Sequence, residues 1–216
     1  MITYQQTKQL MHWFNNPVDF INDCIFFEHP VYDSVKITLN DKQTNMINQI
    51  HNNKNILVTG KRQKGVSLTL LAYTLWYNLF NTNHKTMMTS DTFTNTIDRM
   101  HVFDYMYDHL PDWIKQLNPI SNSKREKIFT GSSNKLLIMP YESNCRGMSM
   151  DMIVVDNAQY CKNLNNSIRE IYPTLHSTSG KIILASTCEQ PFACDFNDMV
   201  VDQIEGRNAW TLVEMY

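Results

Sequence analysis

The feature that most constrains the fold is a short apolar run, a polar turn and a long apolar stretch that follow one another without interruption. Residues 55–59 read NILVT, a β-branched run typical of a buried strand. The turn GKRQKGVS occupies 60–67, and LTLLAYTLWYNLF at 68–80 is long and apolar enough for a buried helix. The pattern therefore predicts a strand, a polar turn and a helix that begin an α/β crossover unit.

The rest of the chain repeats this alternation of strand-like and helix-like segments. Buried strands are expected at 85–90, 152–156, 181–185 and 209–215, and helices at 91–110, 165–176 and 195–205. Apolar residues at helical spacing in 91–110 indicate core packing. The segments 126–130 and 135–139, separated by GSSN, predict a hairpin. Strands that alternate with helices form a mostly parallel sheet with helices on both faces, so the predicted fold class is α/β.

The first 34 residues predict a small helical N-terminal lobe that precedes an α/β domain at 35–216. Residues 1–30 read as two short amphipathic helices. An extended segment is expected at 35–39, and Asn40 or Asp41 is expected to cap a helix that reaches about His51. The expected buried side chains of the lobe are Trp13, Phe14, Phe20 and Ile21.

Composition excludes several classes of protein. No apolar stretch reaches the roughly 18–20 residues of a membrane-spanning helix, and the N-terminus lacks the basic start and apolar run of a signal peptide. A net charge of −2 argues against a protein that coats nucleic acid. Five cysteines without a CxxC pair indicate reduced, mostly buried thiols, and no histidine pattern assigns a metal to protein ligands alone. We therefore expect a soluble intracellular protein.

Basic residues are nevertheless clustered in two places. One cluster is expected to gather around the turn at 60–67 and to be suited to binding phosphate locally; its members are Lys54, Lys61, Arg62 and Lys64. For the other, a solvated charged loop is the favoured interpretation; its members are Lys115, Lys124, Arg125 and Lys127.

The turn at 60–67 has most of the spacing of a phosphate-binding loop. Polyphosphate binding needs backbone N–H groups that converge at a helix N-terminus, a lysine near the β- and γ-phosphates, and a hydroxyl on Mg²⁺. Gly60 and Gly65 fit the glycines of the pattern GxxxxGK[ST], and Ser67 fits its hydroxyl position. Val66 occupies the lysine position, so the pattern is fulfilled only in part.

A carboxylate at the end of a later strand supplies the second part of such a site. The strand MIVVD at 152–156 ends in Asp156, which is suited to hold Mg²⁺. The next position, where an acid would polarise the attacking water, is Asn157. Its amide cannot act as a base but can orient a water by hydrogen bonds.

The order of these and further motifs resembles the ATPase domain of the large terminases of tailed phages, over nearly the whole chain. That family carries an adenine-binding glutamine, an arginine and a glutamine in the phosphate-binding turn (Walker A), an Arg-Gly-x-Ser approach to the acidic strand (Walker B), an acidic pair followed by alanine, and a coupling strand that ends in small hydroxyl residues. The matching residues are Gln43, Arg62 with Gln63, Arg146 with Gly147 and Ser149, Asp156 with Asn157 and Ala158, and Ser186 with Thr187. The resemblance implies a RecA/ASCE-like P-loop NTPase fold, with ATP and Mg²⁺ as cofactors.

The resemblance also implies roles for individual residues. Arg62 would be a cis arginine finger, Ser67 and Asp156 would hold Mg²⁺ through the nucleotide, and Asn157 would stand in the catalytic position. Ser186 and Thr187 would couple nucleotide state to DNA movement. Arg146 would be either a phosphate sensor or an arginine that orders its loop, and Gln43 would recognise adenine. The residues implied to contact the nucleotide are Gln43, Gly60, Lys61, Gln63, Lys64, Gly65, Val66, Ser67 and Arg146.

Two departures from the family pattern bear on hydrolysis. Val66 removes one positive charge near the γ-phosphate; Lys61 or Lys64 would replace it unless both side chains turn to solvent. Asn157 removes a general base, a group that typically contributes about 10²–10⁴-fold in rate. A site without either group would bind nucleotide and hydrolyse it very slowly.

Two functions are therefore expected. The first is a motor ATPase that moves double-stranded DNA through the portal protein into a procapsid in the host cell cytoplasm, with the small terminase subunit and a ring of copies as further partners and no membrane. The second is a degenerate ATPase that binds nucleotide or DNA and regulates packaging without turnover. A helicase-like ATPase is less favoured, because a second RecA-like domain has no room. The nuclease domain of the family is expected to be absent, since the chain ends at Tyr216.

Overall fold

The computed structural model describes residues 2–29, 31–123, 125–141, 147–187 and 194–216. The helices are α1 (Tyr4–Asn15), α2 (Pro17–Cys24), α3 (Asp41–Asn52), α4 (Val66–Phe80), α5 (Phe93–Asp108), α6 (Asp112–Leu117), α7 (Leu164–His176) and α8 (Asp195–Ile204), with a 3-10 helix at Ala158–Tyr160. The strands are β1 (Phe26–His29), β2 (Asp33–Lys36), β3 (Asn55–Gly60), β4 (Lys85–Ser90), β5 (Ile120–Asn122), β6 (Glu126–Phe129), β7 (Asn134–Ile138), β8 (Met152–Asp156), β9 (Lys181–Thr187) and β10 (Thr211–Met215). No helix in these ranges has both the length and the apolar character to cross a bilayer.

Eight of the strands form one sheet in the order β10-β3-β9-β8-β4-β7-β6-β5. All neighbours from β10 to β7 are parallel, and β6 and β5 follow β7 as two antiparallel strands. β1 and β2 pair separately as an antiparallel ribbon. The mostly parallel α/β sheet expected from the sequence is confirmed.

Alternate residues of the central strands pack into two hydrophobic cores, one on each face of the sheet. In β3, Ile56 and Val58 join the core formed with α1 to α6, whereas Leu57 joins the core formed with α7 and α8. Because both faces are covered, the strand reads as a continuous apolar run rather than an alternating one. The pattern NILVT therefore marks a strand in the middle of the sheet.

The N-terminal helices pack against the same core as α4. Phe20 and Ile21 are fully buried, and the Trp76 indole N–H donates to the carbonyl of Trp13 at 2.7 Å. The expected burial of Phe14 is wrong, since this side chain is 52% exposed. Successive residues of a helix differ by about 100° in direction, so burying Trp13 turns Phe14 away from the core.

Element boundaries differ from the sequence-based expectations at several points, and short elements such as β1, β5 and α6 were not expected. α4 begins at Val66 rather than at 68, because the left-handed Gly65 turns the chain directly into the helix. The extended segment expected at 35–39 forms a strand only to Lys36. Beyond it, Ile37 and Leu39 are buried although they belong to no strand.

The two basic clusters are organised differently from expectation. Lys54 does not lie at the turn, because the six residues of β3 place it at the opposite edge of the sheet, roughly 20 Å away. Lys127 is not part of a solvated loop, because only 3% of this residue is exposed. Its Nζ donates to both carboxylate oxygens of Asp104, at 2.6 and 2.8 Å. The sequence could not reveal this ion pair because Asp104 lies on α5, 23 residues earlier.

Cys24 and Cys194 are free thiols, as expected. Cys24 and Cys161 are buried and Cys194 is half-buried, whereas Cys145 and Cys188 lie outside the described residues. Burial raises the pKa of the Cys24 thiol to about 12, so it stays protonated at neutral pH.

Lys181, at the start of β9, lies under the C-terminal end of α3. Its Nζ donates to the carbonyls of Ile50 and His51 at 2.7 and 3.1 Å, and lies 3.3 Å from the hydroxyl of Tyr73. These carbonyls are in the last turn of α3, where intrahelical partners are missing. Burial lowers the pKa of Lys181 from 10.5 to about 8.

This pKa makes the stability of the fold depend on pH. The unfolded chain keeps the Lys181 proton up to about pH 10.5, whereas the folded chain releases it from about pH 8. The free energy of unfolding therefore gains up to about 3 kcal/mol from this group as pH rises across that interval. We expect the gain to disappear in Lys181→Met and to persist in Lys85→Met, which removes an exposed lysine; urea unfolding from pH 7 to pH 10.5 measures it. An equal pH dependence in both variants would contradict this assignment.

Candidate functional site

The carboxyl ends of the central parallel strands meet at one edge of the sheet. Gly60, the last residue of β3, pairs with Thr187 of β9. Asp156, the last residue of β8, pairs with Ala185 of β9 on one side and with Ser90 of β4 on the other. Since only β9 separates β3 from β8, the turn after Gly60 and the backbone of Asp156 lie about two strand spacings apart, roughly 10 Å.

The turn between β3 and α4 has the backbone of an anion-binding loop. Gln63 and Gly65 both adopt the left-handed conformation, with φ of 62° and 72°. Gly65 is the N-cap of α4 and supplies no side-chain hydrogen bond to the helix. The first N–H groups of this 15-residue helix therefore keep donor capacity and carry the positive end of its dipole. Such a helix N-terminus suits a phosphate group.

The turn forms one wall of a cleft with a volume of about 280 Å³. Basic side chains, a hydroxyl and the helix N-terminus make this wall complementary to a polyphosphate. The lining residues are Lys61, Gln63, Lys64, Gly65, Val66, Ser67, Leu68, Leu71, Arg99, Val102 and Thr187. The structure thus brings seven of the sequence-predicted site residues into one cavity.

A larger cavity, of about 570 Å³, lies at the other end of α4 between α1 and α6. Its described lining has no acidic or basic side chain and includes Leu10, Met11, Phe14 and Leu117. Of these two cavities, the smaller cleft combines a helix N-terminus, lysines and Arg99, which pairs with Asp156 at the end of the acidic strand, and we therefore place the candidate site there.

Gln43 lies on α3 and forms a hydrogen bond to the phosphate-binding turn. Its Nε2 donates to the carbonyl of Lys64 at 3.1 Å, and its Oε1 accepts the backbone N–H of Asn40 at 3.0 Å. A Cβ atom at Gly65 would lie 2.5 Å from Gln43 Nε2. A side chain at 65 would therefore adopt an unfavourable positive φ and would have to displace the end of the Gln43 side chain. Recognition of adenine by Gln43 stays a prediction.

Asp156 is buried and paired with an arginine that sequence analysis missed. Its side chain is 4% exposed; Oδ2 accepts from Arg99 Nε at 2.7 Å, and Oδ1 accepts the backbone N–H of Asn157 at 3.0 Å. Arg99 projects from α5 and is 30% exposed, so the guanidinium extends from the buried carboxylate to the cleft that it lines. An unpaired buried carboxylate is strongly unfavourable, so the ion pair with Arg99 offsets the cost of burying Asp156.

A second carboxylate, Asp91, lies beside Asn157. It follows β4 directly, and its Oδ1 accepts hydrogen bonds from Ser90 Oγ at 2.9 Å, Asn95 Nδ2 at 2.8 Å and Asn157 Nδ2 at 3.0 Å. Burial alone would raise the pKa of Asp91, but these hydrogen bonds to the ionised form outweigh it and hold the pKa below its usual value. Asp91 is therefore a carboxylate at neutral pH.

The backbone of Asn157 explains in part why this residue type stands there. Its φ is 58°, in the left-handed region that asparagine adopts more readily than glutamate. The structure therefore favours asparagine at the position where the terminase pattern has a catalytic acid.

The end of β9 touches both sides of the site. Ser186 Oγ accepts the backbone N–H of Gln159, in the 3-10 helix after Asp156, at 3.2 Å, while Thr187 lines the cleft. Arg62 does not line the cleft; its Nη2 donates to the hydroxyl of Tyr160 at 3.2 Å. The coupling role of β9 and the finger role of Arg62 stay predictions, and Arg146 lies outside the described residues.

Arg99 and Asp91 are the two charged residues of this edge that sequence analysis did not select. A signal for Asp91 was present, since KTMMTSD repeats the pattern of MIVVD, a buried strand that ends in an acid. Arg99 gave no signal, because the apolar stripe identifies its helix as core-packing and its partner lies 57 residues away.

Solved structures of phage large terminases share this fold. The large terminase of bacteriophage HK97 matches with a TM-score of 0.72 at 11% identity, over 90% of this chain and 42% of that chain. The large terminase of a thermophilic bacteriophage, in complex with ATP-γ-S, matches with a TM-score of 0.58 at 10% identity, over 82% and 44%. The ATPase domain of the Thermus phage P74-26 large terminase matches with a TM-score of 0.54 at 13% identity, over 69% and 64%. The chain spans less than two thirds of the length of each.

The UvsW helicase of bacteriophage T4 also matches, with a TM-score of 0.56 at 12% identity, over 98% of this chain and 77% of that chain. No family model and no curated protein matches the sequence. At these identities the similarity establishes the fold. The P-loop NTPase-like α/β fold implied by the terminase resemblance is confirmed.

The Arg99–Asp156 pair allows a direct test of the site's electrostatics. We expect Arg99→Met to lower the free energy of unfolding by about 2–3 kcal/mol, slightly below the cost of breaking a fully buried pair because the guanidinium is partly exposed. In an Asp156→Asn background the same change should cost under about 1 kcal/mol, since no buried charge is left unpaired. Urea unfolding of the four proteins measures the difference.

A surface ion pair provides the control for this comparison of single and double variants. Arg207 lies 2.6 Å from Asp202 and is 56% exposed, so Arg207→Met should cost under about 1 kcal/mol. An equal cost of Arg99→Met with and without the Asp156 carboxylate would show that the arginine acts through packing alone.

Proposed function

We propose that the cleft binds ATP with Mg²⁺ and that the chain is the ATPase part of a viral DNA-packaging motor of the large terminase type. One observation carries this proposal: the glycine-containing turn at the N-terminus of α4 and the buried carboxylate of Asp156 lie at the same edge of the sheet, separated only by β9. That arrangement can hold a polyphosphate and an associated cation together.

In this proposal the backbone of the turn and the basic side chains around it bind the phosphates. Lys61 and Lys64 line the cleft and supply positive charge that Val66 does not. Ser67 and Asp156 would hold Mg²⁺, which neutralises charge between the β- and γ-phosphate oxygens when bound. Arg62, at the exposed end of the turn, would act on the transferred phosphoryl group after leaving Tyr160.

Two further observations support nucleotide as the ligand. The residues present fit a triphosphate, because the left-handed backbone at Gln63 and Gly65 leaves the N-terminus of α4 open. The similar terminase of the thermophilic bacteriophage was solved in complex with ATP-γ-S and with ADP. ATP and Mg²⁺ are therefore the proposed cofactors.

The packaging role extends the proposal from the site to the assembly. Hydrolysis would be coupled through Ser186 and Thr187 to movement of double-stranded DNA through a portal protein into a procapsid. The proposed partners are the DNA, the portal, a small terminase subunit and a ring of identical copies, and the proposed place of action is the host cytoplasm. The contact of β9 with both the cleft and the segment after Asp156 supports this coupling.

A second candidate function is a nucleotide-binding module that regulates packaging without turnover. Val66 and Asn157 favour it, because they remove a cation and a general base from their usual positions. The two candidates make the same prediction for nucleotide binding and opposite predictions for phosphate release.

Nucleotide titration and phosphate-release measurements, with and without double-stranded DNA, test the proposal. We expect the purified chain to bind ATP in the presence of Mg²⁺ and to release phosphate, and Arg62→Ala to lower the release rate by at least about tenfold with little change in affinity. Arg207→Ala is the control, since Arg207 precedes β10 and lies at the opposite edge of the sheet.

The outcomes separate the candidates. Binding without phosphate release, also with DNA, would support the regulatory module. An absence of nucleotide binding would contradict both candidates and leave only the shared fold.

Two glycines in the same backbone conformation test the phosphate-binding turn itself. Gly65 and Gly206 have φ of 72° and 70°, but a Cβ atom would meet Gln43 only at Gly65. Each change to alanine should cost about 1 kcal/mol of stability through its positive φ. We expect only Gly65→Ala to weaken ATP binding, by about tenfold or more, because it displaces Gln43 from the Lys64 carbonyl. Equal affinities of the two variants would argue against the turn as the phosphate site.

A further inference from the structure

The phosphate-binding turn at 60–67 and the end of the acidic strand β8 each lack one charged residue of the motif that they resemble. In both cases a neighbouring element carries a residue of the missing charge. Val66 stands where the motif has lysine, and Asn157 stands where it has an acid. The neighbouring element is the β4–α5 unit, in which Asp91 follows β4 directly and Arg99 lies on α5. Any role of these two residues in binding or hydrolysis rests on the proposed nucleotide site.

Arg99 supplies a cation to the cleft. It lines the cavity together with the phosphate-binding turn, and only its Nε is engaged by Asp156. Within the described residues, its two terminal nitrogens form no hydrogen bond. A guanidinium that is anchored at one nitrogen and open at two others is suited to bind a phosphate oxygen pair.

Asp91 supplies a carboxylate next to the position of the missing acid. β4 and β8 are adjacent parallel strands, and Ser90 pairs with Asp156, so Asp91 and Asn157 follow the two strand ends side by side. The amide of Asn157 donates directly to Asp91 Oδ1 at 3.0 Å. All three hydrogen bonds to Asp91 from described side chains end on Oδ1, and no described side chain donates to Oδ2.

Arg99 and Asp91 thereby supply the two kinds of charge that positions 66 and 157 lack, in addition to Asp156 and the lysines of the turn. Arg99 differs from Lys61 and Lys64, which also line the cleft, because Asp156 holds its guanidinium in place. We propose that the β4–α5 unit completes the nucleotide site, with Arg99 binding the β- and γ-phosphates in place of a lysine at 66 and Asp91 orienting the attacking water in place of an acid at 157.

The reaction step assigned to Asp91 is the positioning of water for in-line attack on the γ-phosphorus. The water oxygen bonds to that phosphorus while the bond from phosphorus to the β,γ-bridging oxygen breaks, and the bond's electron pair stays on ADP. The proton released by water ends on the inorganic phosphate. The low pKa of Asp91 suits this role, because the carboxylate remains ionised and accepts a hydrogen bond from the water.

Nucleotide affinity tests Arg99. We expect Arg99→Gln to weaken binding of ATP-γ-S by at least about tenfold, and Val66→Lys in that background to recover most of the loss by restoring a cation at the motif position. Arg169→Gln, which removes an exposed arginine from α7, serves as the control. Unchanged affinity in Arg99→Gln would overturn the assignment, and so would a loss that Val66→Lys leaves uncorrected.

Binding of a transition-state mimic tests Asp91 without relying on turnover. Asp91→Asn keeps the acceptor oxygen for Ser90, Asn95 and Asn157 and removes only the charge. We expect its ADP affinity to match wild type, its affinity for ADP with aluminium fluoride to fall by at least about tenfold, and its phosphate release to fall by about 10²-fold or more where wild type turns over. Asp98→Asn, an exposed neighbour on α5, is the control.

The two proposals fail in different ways. A wild-type chain that binds neither ATP-γ-S nor ADP would remove the proposed function and this inference with it. A wild-type chain that binds nucleotide, combined with an Asp91→Asn variant that binds the aluminium fluoride complex as well as wild type does, would overturn the inference alone. Equal losses of ADP and of ADP–aluminium fluoride affinity would show that Asp91 supports the fold of the β4–α5 unit, and would also overturn the inference.

Discussion

The site depends on the parallel pairing of β9 between β3 and β8. This strand fixes the register in which Gly60 faces Thr187 and Ala185 faces Asp156, so a turn and a carboxylate from distant parts of the chain come to one edge. Because β9 is apolar on both faces, a one-residue slip would exchange the residues that face its two cores. Hydrophobic packing of the middle of the strand therefore sets the geometry of the polar groups at its end.

Polar side chains at the two edges of the sheet are used in different ways. At the edge away from the cleft, Asn134 Nδ2 donates to the carbonyls of Asn78 and Asn81, and its Oδ1 accepts the N–H of His84. That amide is fully satisfied within the chain, as buried structural polar groups usually are. At the cleft edge, the N-terminus of α4 and the guanidinium of Arg99 keep donors for which the described residues supply no acceptor. The cleft edge can therefore offer hydrogen bonds to an anion, which the side chain of Asn134 cannot.

Much of the fold and half of the site could be predicted from the sequence because their signals are local. β4 and β8 have the expected boundaries, since apolar runs bounded by polar residues mark central strands, and the turn at 60–67 is recognisable from its own spacing. The contacts of Arg99 with Asp156 and of Lys127 with Asp104 join residues far apart in sequence and follow from strand order, which local patterns do not encode. The burial of Lys127 was mispredicted because its partner lies on another element, whereas the exposure of Phe14 follows from the helical periodicity that buries Trp13.

The Arg99–Asp156 pair also constrains how a nucleotide site of this kind can work. A carboxylate that is 4% exposed cannot be left without a compensating cation, so the Nε that anchors Arg99 can leave Asp156, and free that carboxylate to hold Mg²⁺, only as a second positive charge arrives. A Mg²⁺–nucleotide complex brings that charge together with the phosphate that the guanidinium would bind. Nucleotide without metal would bring the phosphate alone and leave Asp156 in need of its arginine. Metal and nucleotide are therefore expected to bind this site cooperatively. The Arg99–Asp156 ion pair must be exchanged for an Arg99–phosphate pair and an Asp156–Mg²⁺ pair in the same event.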